Sequence, residues 1–296
     1  MDNRNLYALE MYRAVNENDT RTSLIHFELI TEALFQLTQS LFDKKVSMKY
    51  HQRELEGKFF RFGLANHSLI NLIKGNRFNL INQEVSITDV FSINSITRMQ
   101  IESFLIMFYL FFDKVSDSEK DFRYNIYKLH GLQKQASFKT SSTFPEKHVH
   151  LSKINSEIDE SITNIKKSDL YRNASEKQRQ AYLKPKSARL LSTKDLLATS
   201  GIEASRIDEM WQIYSNYAHS EHISDRQYNT IYSVEKNTLK PCSLIITINS
   251  ILTSKLIIYL SELFKSIEDD YLKLNSKVKY HIDALSSIEI SKNRQL

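Results

Sequence analysis

Two short stretches of this chain carry side chains whose types and spacing could do chemistry. The first is Trp211–His222, WQIYSNYAHSEH, which crowds Tyr214, Ser215, Tyr217, His219 and His222 together. Ser215 and His219 stand at i, i+4 and so share one face of a helix. Imidazole titrates near neutrality, which makes His219 the candidate general acid or base, with the Ser215 and Tyr217 hydroxyls able to position a substrate. The second stretch is Thr97–Phe112, TRMQIESFLIMFYLFF. Here Arg98 and Glu102 stand at i, i+4 where an apolar helix begins. A guanidinium oriented by a carboxylate could stabilise charge developing on a phosphate. Combined, the two stretches could set a proton-transferring imidazole, His219, beside a guanidinium, Arg98, aimed at an anionic group. Each feature also has a structural reading. The Arg98–Glu102 pair could fix helix register. His219 could be a buried, hydrogen-bonded histidine. A mid-helix serine such as Ser215 can bond back to its own backbone.

Metal chemistry is not expected. His219 and His222 are three apart, with Asp225 the nearest third ligand, and the chain contains neither Glu-x-x-His nor His-Glu-x-x-His. No cofactor is expected either. Five glycines and three prolines in 296 residues leave no glycine cluster to cradle a phosphate, which argues against P-loop, dinucleotide-binding and nucleophile-elbow chemistry.

A third feature is charge. Lys166, Lys167, Arg172, Lys177, Arg179, Lys184, Lys186, Arg189 and Lys194 fall in one stretch, opposed between 166 and 194 only by Asp169 and Glu176. Nine minus two leaves that segment at +7, against +5 for the whole chain. A local basic surplus is the footprint of a nucleic-acid or other polyanion contact, although a solvated connector has the same composition.

The elements that must position these groups are helices, since tight turns between strands need Gly and Pro. Apolar spacing predicts helices over 6–15, over 22–43 (Leu24, Phe27, Leu34, Leu37 and Leu41 on one stripe) and over 47–74, the last ending at Gly75. Residues 76–86 read as a loop. Ser86 or Thr88 caps a helix to Asp113, and Ser116 or Asp117 begins another to Phe138. The Ser/Thr cluster 140–143 reads as a turn, and Pro145 opens a helix to Lys167. Ser175 with Gln178, and Ser192 with Asp195, form capping boxes. Pro241 opens the last long helix, to Asn275.

The expected architecture is an all-α bundle of eight to ten helices. Ile101–Phe112 and Leu244–Leu260 are buried at its centre, because a helix apolar all round has no face for water. One domain is expected over 1–275, with the basic connector 166–194 and a polar tail over 276–296. Ser103–Phe112 is too short to span a bilayer, and Ser243–Leu260 carries Asn249 and Lys255, so no membrane association is expected. A single cysteine, Cys242, excludes a disulfide framework and reads as a buried inert thiol. The first residues carry no apolar secretory core, and a cytoplasmic location is expected.

The order R-x-x-x-E on an apolar helix, then S-x-x-x-H ahead of an apolar C-terminal helix, is similar to that of a bacterial all-helical family of unknown function. The matching residues are Arg98, Glu102, Ser215 and His219, with Arg123 and Tyr127 on the intervening helix. More distantly the chain resembles HEPN-type proteins, helical bundles of toxin–antitoxin and antiphage systems. That resemblance implies a metal-independent ribonuclease effector, a site completed by homo-oligomerisation, or an inactive scaffold. The HEPN motif Arg-x(4–6)-His is absent at His219. It occurs at Arg61–His67, where Phe62 replaces the expected polar residue, and at Arg123–His130. Two other readings stand beside the enzyme: a non-enzymatic interaction or accessory subunit, and a sensor holding a small anion at Arg98.

Overall fold

The computed structural model describes residues 3–17, 19–81, 83–138, 146–202, 204–218, 221–232 and 240–288. In chain order these form α1 (Asn3–Asn16), α2 (Thr20–Asp43), α3 (Leu55–Lys74), β1 (Asn76–Leu80), β2 (Gln83–Ile87), α4 (Val90–Met107), α5 (Asp117–Ala136), α6 (Lys147–Lys167), α7 (Asp169–Arg172), α8 (Glu176–Leu183), α9 (Thr193–Thr199), α10 (Ala204–Ala218), α11 (His222–Tyr232), α12 (Lys240–Leu263), α13 (Lys265–Leu272) and α14 (Ser276–Ser286). The protein is all-α. Its helices outnumber the expected eight to ten because short ones, α7 to α9 and α13, subdivide segments that composition alone treats as connectors or as parts of longer helices.

Two compact units divide the chain. Unit 1 comprises Met1–Ser47, Leu55–Leu105 and Leu197–Leu296, and unit 2 comprises Met48–Glu54 and Ile106–Leu196. In unit 1, α12 packs on α2, α13 and α14, and α2 packs on α3. Phe27, Ile30, Leu34, Leu37 and Leu41 of α2 are buried, close to the expected stripe. Asp19 caps α2 by accepting the Thr22 N–H, and α3 ends at Gly75 with φ +89°, the left-handed turn that glycine adopts without strain. Helices α2 and α3 approach closely at Gly63, where a Cβ would stand 2.7 Å from the Phe35 ring.

The core of unit 1 contains a polar ladder. Gln100 of α4 donates to Asn66 Oδ1 (2.6 Å) and to the Phe62 carbonyl (3.0 Å) of α3, while Asn66 Nδ2 donates to Thr253 Oγ1 of α12 (2.9 Å). One turn away, Asn249 Nδ2 donates to Thr97 Oγ1 (3.2 Å). All five side chains are buried. Groups so placed must be paired, and pairing them this way admits one register of the three helices. Lys255 is tolerated in α12 because its ammonium reaches the Ser286 carbonyl (2.9 Å) at the C-terminal end of α14, where the helix dipole favours a cation.

Unit 2 is built on α5 against α6. Phe122, Ile126, Leu129 and Ile165 form its core cluster, with Tyr171, Tyr182 and Leu183 of the α7–α8 segment packed on it. Before α5, residues Phe108–Phe112 form a π-helical turn. Two buried or half-buried cations of α5 hold its carbonyls: Arg123 donates to Tyr109 O (3.2 Å) and Lys120 to Phe111 O (3.0 Å). Arg123 is also held by Asp113 (2.5 Å) and Glu119 (2.7 Å), and its guanidinium lies 4.6 Å from the Tyr109 ring centroid.

Several expected boundaries move. Residues 76–80 and 83–87 pair as an antiparallel hairpin rather than a loop, Asn76 with Ile87 and Phe78 with Val85. Helix α4 begins after both expected caps, with Asp89 accepting the Ser92 N–H. Helix α3 starts at Leu55, after a 3₁₀ turn over Tyr50–Gln52. The expected helix to Asn275 breaks at Phe264. Residues 276–286, part of the expected polar tail, form α14, because His281, Ile282 and Leu285 bury one face against α2 and α12. The capping boxes at Ser175–Gln178 and Ser192–Asp195 are present as read. Pro145 and the Ser/Thr cluster 140–143 lie outside the described residues.

Candidate functional site

Within unit 1 the α4 side chains come together with the first turns of the Trp211 segment. Arg98 Nη2 donates to Glu102 Oε1 at 3.3 Å, as the i, i+4 spacing implied. The same oxygen accepts the indole N–H of Trp211 at 3.1 Å, and the guanidinium lies 5.4 Å from the Trp211 ring centroid. Arg98 is largely buried while Glu102 keeps 44% of its side-chain surface. The result is a small closed circuit: carboxylate, guanidinium and indole, joined by two hydrogen bonds and one cation–π contact. Trp211 was recognisable as a neighbour of Ser215 one turn on, but nothing in its local sequence announced Glu102 as its partner, 109 residues away.

Helix α10 carries two further candidates. Ser215 is half-buried, one turn beyond Trp211. Tyr217 is buried, its ring 5.3 Å from that of Phe91, and burial raises its hydroxyl above the ordinary phenol range. Phe91 also stacks on Tyr232, whose hydroxyl donates to the Thr88 carbonyl at 2.8 Å. Burial raises the Tyr214 hydroxyl too, helped by nearby Tyr217 and Cys242, and pushes the Cys242 thiol up to about 11. A thiol so protonated is inert at neutral pH, in agreement with its reading from the sequence. His219 lies outside the described residues. The structure therefore brings together Arg98, Glu102 and α10, and leaves the imidazole unplaced.

Residues of the two Arg-x(4–6)-His pairs have local partners. Arg61 is exposed and donates to Gly57 O, and His67 pairs with Asn71. Arg123 is committed to two carboxylates and a carbonyl, as described above. Among the described residues no group of three or more His, Cys, Asp or Glu is arranged to hold a metal ion.

In the basic segment of unit 2, lysines and arginines differ. Arg172 pairs with Asp169 (2.7 Å), Arg179 donates to Tyr171 O (3.1 Å) and Arg172 O, and Arg189 donates to Thr193 Oγ1 (3.1 Å). Lys166, Lys167, Lys177, Lys184 and Lys186 are exposed, and none makes a hydrogen bond or ion pair with a described residue. Unit 2 holds nineteen Lys and Arg against twelve Asp and Glu, net +7, while unit 1 holds twenty-one against twenty-three, net −2.

One helix among the described residues, Cys242–Leu263, is long and apolar enough to cross a membrane, and 78% of that window is buried inside the structure. That burial makes it a core helix of unit 1. No protein-family model, curated protein or solved structure matches this chain.

Proposed function

We propose that the protein binds nucleic acid, RNA first among the polyanions, through the basic surface of unit 2. One observation carries this reading: the whole positive surplus of the molecule rests on unit 2, where five exposed lysines have no carboxylate partner. Charge asymmetry of this kind is what a phosphate backbone attracts. An intracellular, cytoplasmic setting accords with that partner and with the single protonated thiol. The test is titration of fluorescein-labelled RNA with the full chain, followed by anisotropy at low salt. Saturable binding is expected; no binding at micromolar protein would remove the reading.

A second reading, a metal-independent endoribonuclease, is favoured by one observation: Trp211 ties α10, the helix leading to His219, to the Arg98–Glu102 pair. In that reading Arg98, oriented by Glu102, meets the phosphate, His219 moves the 2′-OH proton, and Ser215 and Tyr217 position the backbone. The HEPN-like resemblance, with its associations of antiphage defence, toxin–antitoxin function and homo-oligomers, belongs to this reading. Wild type and His219→Ala are incubated with total RNA in chelator. Cleavage by wild type alone is expected if it holds. RNA left intact by both folded proteins leaves binding without catalysis, the role of an accessory subunit.

A further inference from the structure

Resting on the nucleic-acid reading, we infer that the unit 2 surface grips the phosphate backbone of a duplex and reads no bases. Sequence reading of a nucleic acid relies on the planar fork of arginine, which meets guanine bidentately, whereas a lysine ammonium is a point charge suited to a phosphate. In the segment 166–194 the three arginines are engaged locally. Arg172 neutralises Asp169, Arg179 ties α8 to the carbonyls of α7, and Arg189 donates to the hydroxyl of Thr193. What faces solvent without a partner is lysine: Lys166 and Lys167 in the last turn of α6, Lys177 in the first turn of α8, Lys184 just past its end, and Lys186 beyond; Lys194, also exposed, stands beside the Asp195 carboxylate. Since α6, α7 and α8 pack on one another, these five lysines belong to one three-helix segment of the unit and its edge. With Asp169 already paired, Glu176 is the acidic residue left within that run.

Within this segment no exposed ring offers a stacking platform. Single strands are held chiefly by bases laid on exposed aromatic rings. The two aromatic residues of this segment are both used in the fold. Tyr171 and Tyr182 pack on the unit 2 core; Arg179 covers Tyr171 at 5.7 Å, and Tyr182 meets Phe122 edge-on at 5.1 Å. A segment of exposed ammonium groups whose own rings are packed away favours the ligand with the denser line of phosphates, a double helix.

The test uses the full chain and four labelled probes: two 20-base-pair RNA duplexes of unrelated sequence, and a single strand from each. The two duplexes bind within about twofold of each other and more tightly than either strand. Affinity falls with salt with a log–log slope no steeper than about four and a half, the value for five neutralised phosphates. The double variant Lys177→Gln, Lys184→Gln lowers that slope by about two while its circular dichroism is unchanged. A tenfold preference between the duplexes, tighter binding of the single strands, or a slope unaltered in the variant overturns this inference and leaves nucleic-acid binding standing. Absence of binding to every probe overturns the nucleic-acid reading itself.

Discussion

Glu102 gathers two donors on one oxygen, so the candidate site can be dissected donor by donor. Trp211→Phe keeps a ring beneath Arg98 but removes the indole N–H; the expected loss is about 1 kcal/mol, read as a lower urea midpoint with unchanged slope. Trp211 is the chain's single tryptophan, so its fluorescence reports this cluster alone, and Glu102→Gln should shift its emission without moving the far-ultraviolet spectrum. Arg123 is a harsher case. Arg123→Met leaves Asp113 and Glu119 without their counter-ion beside the π-helical turn, at a cost of about 3–5 kcal/mol. Faster amide exchange over 108–130 is the measurement that checks it. At this scale the sequence was informative where partners are close along the chain. Arg98 and Glu102, Ser175 and Gln178, and Ser192 and Asp195 could each be paired by counting. Trp211 with Glu102, or Gln100 with Asn66, could not, because only packing sets those distances.

Among the elements, α14 carries a titratable joint. His281 meets His26 of α2 edge-on, with ring centroids 4.0 Å apart. His26 pairs with Glu10 of α1 (3.0 Å), Glu10 with Lys277 of α14 (2.7 Å), and Tyr7 and Tyr280 flank the His281 ring. Burial, then the neighbouring His26 and Lys277, hold His281 down at about 4, and burial also lowers His26 despite Glu10. Desolvation pulls Glu10 upward, but its bonds to Lys277 and His26 prevail and it stays below its ordinary value. The sign follows. The unfolded chain takes up protons near pH 6.5 that the buried imidazoles refuse. Their contribution is therefore complete above that pH and is lost as pH falls toward 4, by up to about 3 kcal/mol for His281. Urea unfolding at pH 7.5 and 5.0 should show this loss, and His281→Leu should flatten the dependence. In the sequence this segment reads as tail because lysines and serines dilute its apolar spacing. What makes it a helix is the face that α2 and α12 offer it. The hairpin escaped for a related reason: no Asn-Gly or Asp-Gly turn marks its tip, and two strands joined without such a signal resemble a loop.

For the whole molecule, two units with separate cores imply separable responses. Asn66→Ala, which unties the polar ladder of unit 1, should cost about 1–3 kcal/mol and raise exchange in α3, α4 and α12. Combined with Phe122→Ala in unit 2, the two effects should add within about 0.5 kcal/mol, since the sites share no partner; a larger discrepancy in a double-mutant cycle would count against that independence. The all-α class and the two buried central helices were recoverable from composition, because scarce Gly and Pro and an all-round apolar run leave few alternatives. The division into units was not, since unit 1 is assembled from three separated stretches of chain. That discontinuity has a consequence during synthesis. Helix α2 leaves the ribosome long before α12, one of the two helices that cover most of it, has been made; at 5–20 residues per second the interval is about ten to forty seconds. Through that interval α2 has α3 to pack on but lacks α12, while the contiguous α5–α8 segment is free to fold. The nascent chain is thus a natural client for holdase chaperones, and yield in cells should respond to their supply more than the finished protein's stability would suggest.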